Sequence, residues 1–316
     1  MTQMIVQVKD LRKRFGKKEI LRGIDFSATA GSILSVLGPN GAGKSTTINC
    51  LTTLLKPDGG SATIAGYDVL TEPATVRALI GLTGQFAAVD EELTAQENLV
   101  LFGRLLRLSA RQAKYRAHEL LERFELQQTT HKRVKEFSGG MRRRLDLAVS
   151  IITEPLVLFL DEPTTGLDPK SRRQVWNMVE ELKERGMTII LTTQYLEEAD
   201  ELANAIVVID HGRVIARGTA DELKNRVGKT FCELKLANPH DELKARQGLA
   251  DFGEILSNGN TLNLVAAEGV TTLVEVSQRL NDLGLVLTDI SLRRPSLDEV
   301  FFTLIGHTTR DSRTKW

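Results

Sequence analysis

A glycine-rich segment near residue 40 has residue types and spacing suited to binding phosphate. It follows the apolar run Ile33–Leu37 and matches the pattern G-x4-G-K-[S/T] ahead of a predicted helix. Its residues are Gly38, Pro39, Asn40, Gly41, Ala42, Gly43, Lys44, Ser45 and Thr46. In such a loop backbone N–H groups point at phosphate oxygens, the lysine adds positive charge, and the serine hydroxyl is a Mg²⁺ ligand. The segment predicts phosphate binding but leaves GTPases, kinases, motors and transporters open.

Two acidic residues end a second apolar run. Leu156–Leu160 predicts a buried strand, and Asp161 and Glu162 follow it directly. If the strand ends beside the phosphate-binding loop, Asp161 could hold Mg²⁺ through water. Glu162 could then act as general base on the attacking water. The same residues also fit a buried strand with a solvated acidic end.

A third segment reads Phe137-Ser138-Gly139-Gly140-Met141 and begins a predicted helix. A serine N-cap followed by two glycines is by itself a common helix start. The order of phosphate-binding loop, this segment and acidic strand, however, resembles the nucleotide-binding domains of ABC (ATP-binding cassette) proteins, whose signature is usually L-S-G-G-Q. The similarity extends over residues 4 to 225.

This resemblance implies roles for four further residues. Gln85 matches the Q-loop glutamine, which touches the metal or the attacking water and faces a membrane partner. Phe15 occupies the adenine-stacking position, although a core phenylalanine is an alternative, and Asp168 matches the D-loop aspartate. Gln194 stands where the family usually has a histidine that contacts the γ-phosphate. A glutamine can donate a hydrogen bond but cannot carry a proton, so slower hydrolysis and a subfamily variation without cost both stay open.

The resemblance also implies an assembly. Ser138, Gly139 and Gly140 of one subunit would bind the γ-phosphate of ATP held by the phosphate-binding loop of another. A head-to-tail homodimer would then contain two complete sites for ATP and Mg²⁺.

Arg142, Arg143 and Arg144 follow the signature, and we interpret them as a solvated face with local carboxylate partners rather than a nucleic-acid contact.

The elements that must position these residues follow an α/β pattern. Apolar, strand-like runs alternate with amphipathic helices in the first two thirds of the chain, which predicts a largely parallel sheet. We expect an ABC nucleotide-binding domain over residues 1–227, with a helical signature subdomain at about 90–153 introduced by a capping box at Thr94–Glu97. Residues 228–306 predict a small α+β module, whose βαββαβ order indicates a ferredoxin-like arrangement, and 307–316 a flexible tail.

The composition limits which kinds of partner are expected. The 316 residues carry 41 basic and 41 acidic side chains, so no bulk field attracts nucleic acid, and none is expected as a partner. The two cysteines are too few and too far apart for a disulfide framework or a metal site. Neither a signal peptide nor an apolar run of about 18 residues is found, so we expect a chain that does not cross a membrane by itself.

Three stretches are similar to one group of ABC proteins, the daunorubicin/doxorubicin-resistance ATPases of type-2 exporters. They are residues 84–90, 137–147 and 191–200, and glutamine occurs at the Gln194 position there. The resemblance implies ATP-driven efflux of an amphipathic drug, polyketide or lipid through a separate polytopic permease, with this chain on the cytoplasmic face of the membrane. We expect the permease, and not this chain, to recognise the transported molecule.

Two alternatives stay open. A soluble ABC ATPase acting on the ribosome or another macromolecule usually carries two cassettes, and only one is present here. A kinase or GTPase should lack the segment Ser138–Met141.

The C-terminal module has no catalytic constellation of its own, and its predicted role is regulation or dimer stabilisation.

Overall fold

In the computed structural model of this protein, the described residues are 3–84, 88–227, 230–253, 255–258, 260–293, 296–298 and 300–301. They fall into two compact units, Met1–Ala220 and Asp221–Trp316. The predicted domain limit at residues 227/228 stays a prediction. None of the described helices combines the length and apolar character that a membrane-spanning segment requires.

The first unit alternates strands and helices along the chain. Its strands are β1 (Met4–Phe15), β2 (Lys18–Thr29), β3 (Ile33–Leu37), β4 (Gly59–Ile64), β5 (Tyr67–Asp68), β6 (Ile80–Thr83), β7 (Val157–Asp161), β8 (Thr188–Thr193), β9 (Ala205–Asp210) and β10 (Arg213–Gly218). Its helices are α1 (Lys44–Leu51), α2 (Pro73–Leu79), α3 (Ala95–Leu105), α4 (Ala110–Arg123), α5 (Gly139–Ser150), α6 (Pro169–Glu184) and α7 (Leu196–Leu202), and α8 (Ala220–Val227) begins at its last residue.

A six-stranded sheet in the order β10-β9-β3-β8-β7-β6 forms the centre of this unit. All neighbours from β9 to β6 are parallel, and β10 is antiparallel to β9. Every residue of β3, β7 and β8 is buried, as expected for strands covered on both faces. The carboxyl ends of parallel strands meet at one edge, so the segments after β3, β7 and β8 converge there. The predicted α/β fold with a largely parallel sheet is confirmed.

A smaller antiparallel sheet, in the order β2-β1-β4-β5, carries the predicted aromatic position. Phe15 ends β1 and pairs with Lys18, the first residue of β2, across a tight turn in which Gly16 has φ 58°. This turn places the Phe15 side chain at the end of a two-stranded ribbon rather than in the core.

The helices α3, α4 and α5 lie within residues 90–153, where the sequence predicts a helical signature subdomain. The capping box at Thr94 is confirmed: its hydroxyl accepts from Glu97 N, and Glu97 Oε2 accepts from Thr94 N at 2.8 Å. Ser109 and Gln112 form a second capping box at the start of α4. These caps satisfy N–H groups that helices of this length otherwise leave to water, and so fix where each helix begins.

The second unit has the predicted βαββαβ order. Its elements are β11 (Phe231–Leu236), α9 (Glu242–Gly248), β12 (Ile255–Asn258), β13 (Thr261–Val265), α10 (Val270–Asp282) and β14 (Leu287–Arg293). The sheet order is β12-β13-β11-β14 and all neighbours are antiparallel, which is the ferredoxin-like arrangement. The core is apolar, with Leu234, Leu264 and Leu280 fully buried.

Each unit also buries one cysteine. Cys50 lies on α1 and Cys232 on β11, and neither forms a disulfide. Burial raises the pKa of each thiol to about 11.

Candidate nucleotide-binding site

The phosphate-binding loop connects β3 to α1, as predicted. Gly43 is the residue before α1 and has φ 111°, in the left-handed region that favours glycine. A Cβ on Gly43 would come 2.8 Å from Leu21 Cδ2, so a larger residue would be both strained and crowded here. The loop can therefore approach a ligand with its backbone, which phosphate binding requires.

Lys44 is the first residue of α1 and its side chain is only 4% exposed. Its ammonium donates to Gly38 O at 2.9 Å and Pro39 O at 3.2 Å, and lies 3.5 Å from Glu162 Oε1. Burial lowers the pKa of Lys44, while the carboxylates of Glu162 and Asp161 act in the opposite direction. A buried cation held by backbone carbonyls and one carboxylate is well placed to bind an anionic ligand.

Asp161 ends β7 and is buried beside the loop. Its Oδ1 accepts hydrogen bonds from Ser45 Oγ at 3.1 Å and from Thr192 Oγ1. One carboxylate and one hydroxyl are a suitable protein contribution to Mg²⁺, which keeps several waters and shares phosphate oxygens. Among the described residues there is no group of three or more His, Cys, Asp or Glu that could hold a metal alone. The residues present therefore fit Mg²⁺ bound together with a nucleotide.

Glu162 has an unusual backbone for a non-glycine residue, with φ 50°. Its N–H donates to Thr192 O and is also 3.1 Å from Thr192 Oγ1, and its Oε2 accepts from Thr165 Oγ1 at 3.2 Å. A left-handed residue persists only where neighbouring groups hold it, and such residues concentrate at functional sites. The strand end thus turns the Glu162 side chain, 8% exposed, toward Lys44.

These residues border a cleft of about 330 Å³. Its lining is Phe15, Lys18, Ile20, Asn40, Gly41, Gly43, Lys44, Ser45, Thr46 and Glu162. Phe15 is 49% exposed, so the alternative of a core phenylalanine is wrong, and Lys13 Nζ lies 5.6 Å from its ring centroid. Lys18 was not predicted; its pairing with Phe15 across the hairpin is visible only once the strand register is known.

The signature residues do not join this cleft. Ser138 is the exposed N-cap of α5 and accepts from Met141 N at 3.3 Å. A Cβ on Gly140 would come 2.6 Å from Ser171 Oγ, and that hydroxyl donates to Asp168 Oδ2 at 2.6 Å. Asp168 itself caps α6 and is exposed. The signature and D-loop segments therefore meet each other at the surface, apart from the described lining of the cleft.

The structure describes one of the two glutamines predicted for the site. Gln194 follows the carboxyl end of β8 and is half-buried at the same edge of the sheet as Asp161. Gln85 lies outside the described residues.

Arg143 corrects the interpretation of the three arginines. Arg142 and Arg144 do bind nearby carboxylates, Glu91 at 2.8 Å and Glu125 at 3.1 Å, but the Arg144 side chain is only 12% exposed and is therefore not part of a solvated face. The Arg143 side chain is only 11% exposed as well, and it donates to the backbone carbonyls of Pro163 and Gly84, which lie in loops after β7 and β6. The helical spacing of apolar residues from Met141 does not reveal that Arg143 is buried, because the acceptors of the Arg143 guanidinium come from segments distant in the chain.

Glu198 was also missed by the sequence analysis. This residue of α7 is fully buried, and its Oε1 accepts from Thr164 Oγ1 at 2.8 Å and Trp176 Nε1 at 2.9 Å. Burial raises the pKa of the Glu198 carboxyl. One carboxyl thus connects the helix after Gln194 with the loop after Glu162 and with α6.

Two sequence comparisons match the chain. Residues 21–165 match the ABC transporter family. The chain is 50% identical over 314 residues to the daunorubicin resistance ATP-binding protein of Streptomyces coeruleorubidus, with 98% of each chain covered. It is 37% identical over 307 residues to the Nod factor export ATP-binding protein I of Rhizobium sp. (strain N33), covering 97% of this chain and 98% of that protein.

A solved structure is similar to about two thirds of the chain. It is a dimeric ATP-binding cassette in a post-hydrolysis state, bound to ADP and phosphate. The TM-score is 0.62 at 26% identity, and the match covers 68% of this chain and 98% of that chain.

Proposed function

The chain belongs to the ABC transporter family of ATP-binding subunits, and on that premise we propose that it hydrolyses ATP to power export through a separate membrane permease. The observation that carries this proposal is the convergence of Lys44, Ser45, Asp161 and Glu162 at one edge of the central sheet. Phosphate-binding, metal-binding and proton-accepting groups are there within reach of one ligand.

Each group in the cleft has a distinct task in this proposal. The loop N–H groups and Lys44 bind the phosphates, and the exposed ring of Phe15 stacks on the adenine. Ser45 and Asp161 hold Mg²⁺, which when bound neutralises charge on the transferring phosphoryl group. Glu162 accepts the proton of the attacking water, and Gln194 donates a hydrogen bond to a phosphate oxygen.

A second copy completes the site. Ser138, Gly139 and Gly140 lie outside the described cleft lining, so they would reach the γ-phosphate of a partner subunit in a head-to-tail homodimer, with Asp168 between the two sites. The dimeric cassette among the similar structures supports this arrangement. ATP binding would close the dimer, and hydrolysis would remove the bridging charge.

Export is supported by the relatives and not by any cargo site on this chain. One relative is named for daunorubicin resistance and another for Nod factor export, so the cargo differs among similar ATP-binding proteins. We therefore propose an amphipathic cargo selected by a polytopic permease, with this chain bound on the cytoplasmic face of the membrane and Gln85 facing the permease. No nucleic acid is required.

The variant Glu162→Gln tests the ATPase proposal. Losing a general base lowers rates by about 10²- to 10⁴-fold, while the amide keeps the size and the nucleotide contacts of the side chain. We expect the variant to bind Mg-ATP, lose turnover and accumulate as a dimer, measured by phosphate release and light scattering. A variant that stays monomeric at saturating Mg-ATP contradicts the shared-site dimer.

Co-purification tests the export proposal. The tagged chain is expressed in its source cell, membranes are solubilised gently, and the co-purifying proteins are identified. A stoichiometric polytopic membrane protein is the expected result. Recovery with ribosomes, or from the soluble fraction alone, would contradict export while leaving the ATPase proposal intact.

A further inference from the structure

The ion pair of Arg143 and Asp146 lies on α5, one turn after the signature residues. The two side chains are 11% and 4% exposed, and Arg143 Nη1 is 3.2 Å from Asp146 Oδ2. Burying both charges is expensive, and such pairs rarely add net stability compared with apolar residues of the same size. Their contacts with the backbone of other segments give the pair a different role.

Arg143 holds the backbone on both sides of Glu162. Its Nε donates to Pro163 O at 2.7 Å, and its Nη2 donates to Asp161 O at 3.3 Å. Glu162 between them has φ 50°, a conformation that its own preferences do not maintain. The guanidinium fork is rigid and planar, so it fixes the spacing of the two carbonyls as well as their direction.

The pair also binds the backbone at two residues between β6 and α3. Arg143 Nη1 donates to Gly84 O at 2.9 Å, and Asp146 Oδ1 accepts from Ala88 N at 3.1 Å. One end of α5 thus presents Ser138 at the surface, while the next turn fixes residues 84 and 88 and the strand end that carries Asp161 and Glu162.

We propose that Arg143 and Asp146 form a positioning pair through which helix α5 sets the backbone of the hydrolytic residues. This inference rests on the proposed ATP hydrolysis and deepens it. Neither residue lines the described cleft, so the pair acts through Glu162 and its neighbours and not on the nucleotide. Disturbing the pair should therefore change the turnover number and leave nucleotide affinity almost unchanged.

Arg116 provides a matched control. Its side chain is also 11% exposed, it binds Glu119 three residues later at 2.6 Å, and it donates to Ile152 O at 3.2 Å. Glu119 lies on α4 itself and Ile152 just beyond the far end of α5, and Arg116 touches none of the described residues proposed for ATP hydrolysis. A comparison of the two arginines therefore separates the effect of disturbing a buried arginine from the effect of positioning the site.

The first experiment compares Arg143→Lys with Arg116→Lys in the full chain. Lysine keeps a positive charge near the carboxylate but cannot bind three carbonyls in fixed directions. We expect Arg143→Lys to lower kcat by about 10- to 100-fold, as for misplacement of a catalytic group by about 1 Å, with KM for ATP within about twofold. Arg116→Lys should keep kcat within about twofold of the wild type. Equal kcat values for Arg143→Lys and the wild type would overturn the proposal.

A double variant covers the case in which the single variant is unstable. Arg143→Met with Asp146→Leu replaces the pair by apolar side chains and leaves no unpaired buried charge. We expect a variant that still folds with one cooperative thermal transition and shows the same loss of kcat, with the midpoint lowered by the backbone groups that lose their partners. A double variant with the wild-type kcat would overturn the proposal.

Hydrogen exchange separates this inference from the ATPase proposal. In Arg143→Lys, the backbone amides of residues 160–162, 164 and 165 should exchange faster than in the wild type, whereas in Arg116→Lys they should not. Hydrogen exchange does not depend on ATP turnover. If the wild-type chain hydrolysed no ATP, the proposed function would be contradicted, and the exchange rates would still test the positioning pair. Unchanged exchange in Arg143→Lys would refute the positioning role.

Discussion

The two units of the chain differ in what they bury. In residues 1–220, Lys44, Asp146, Asp161 and Glu198 are all buried. In the described part of residues 221–316, the buried polar residue is Thr272, and the rest of the core is apolar. Among its described residues, the second unit thus forms its core without a buried charged side chain. The buried charges of the first unit are therefore better explained by chemistry than by stability.

The largest effect is expected from removing a buried charge in the first unit. Lys44→Ala deletes the cation that would bind the phosphates, and losing a buried charged partner costs about 2–5 kcal/mol. We expect ATP affinity to fall by about 100-fold or more, measured by isothermal titration calorimetry. Lys235→Ala removes an exposed lysine of the second unit and should leave affinity unchanged. Similar losses in both variants would mean that net charge, and not the site, determines affinity.

A cavity in the second unit should affect stability without affecting chemistry. Leu280 is fully buried on α10, and Leu280→Ala should lower the free energy of unfolding by about 2–5 kcal/mol. Denaturant unfolding measures this loss, and KM for ATP should stay at the wild-type value. Leu243, 69% exposed on α9, supplies the control, since Leu243→Ala should change stability by under about 0.5 kcal/mol. A parallel loss of ATP binding in Leu280→Ala would contradict the division of roles between the units.

Glu198 predicts a pH dependence of stability in the first unit. Burial raises its pKa above the unfolded value, so its favourable contribution is complete below the unfolded pKa and is lost as pH rises through the folded pKa. Glu198→Gln removes this titration, so its thermal midpoint relative to the wild type should rise as the pH increases above the unfolded pKa of a glutamate, about 4.3. A pH-independent difference for Glu198→Gln would show that the carboxyl keeps one protonation state.

The smallest effect is expected at Gln194. Exchanging one hydrogen-bond donor for another is worth about 1 kcal/mol, so Gln194→His should change kcat by less than about tenfold. Steady-state phosphate release measures the change. A larger rise would support the view that glutamine slows hydrolysis, and an unchanged kcat would support a subfamily variation without cost.

Sequence patterns predicted the parts of the site that are local in the chain. The phosphate-binding loop, the Thr94 capping box and the acidic end of β7 each depend on residues within a few positions of one another. Strand limits moved by a residue, as for β7, predicted at Leu156–Leu160 and found at Val157–Asp161. Such shifts are small because the apolar run fixes the strand and only its ends depend on the surroundings.

The remaining parts depend on contacts between distant segments. Arg143 reaches Gly84 O across 59 positions, and Glu198 accepts from Thr164 across 34. Neither residue differs in type from an ordinary surface Arg or Glu, so composition and periodicity carry no signal for them. Only the packing of α5, α6 and α7 around the strand ends reveals that these side chains are buried.

The two buried thiols make each unit its own reporter of unfolding. With pKa values of about 11, Cys50 and Cys232 present a thiolate fraction of about 10⁻⁴ at neutral pH, and burial shields the sulfur as well. A thiol reagent would then label Cys50 only when the first unit opens and Cys232 only when the second unit opens. The wild-type chain could thus give the opening free energies of both units in one mass-spectrometric time course, without any engineered probe.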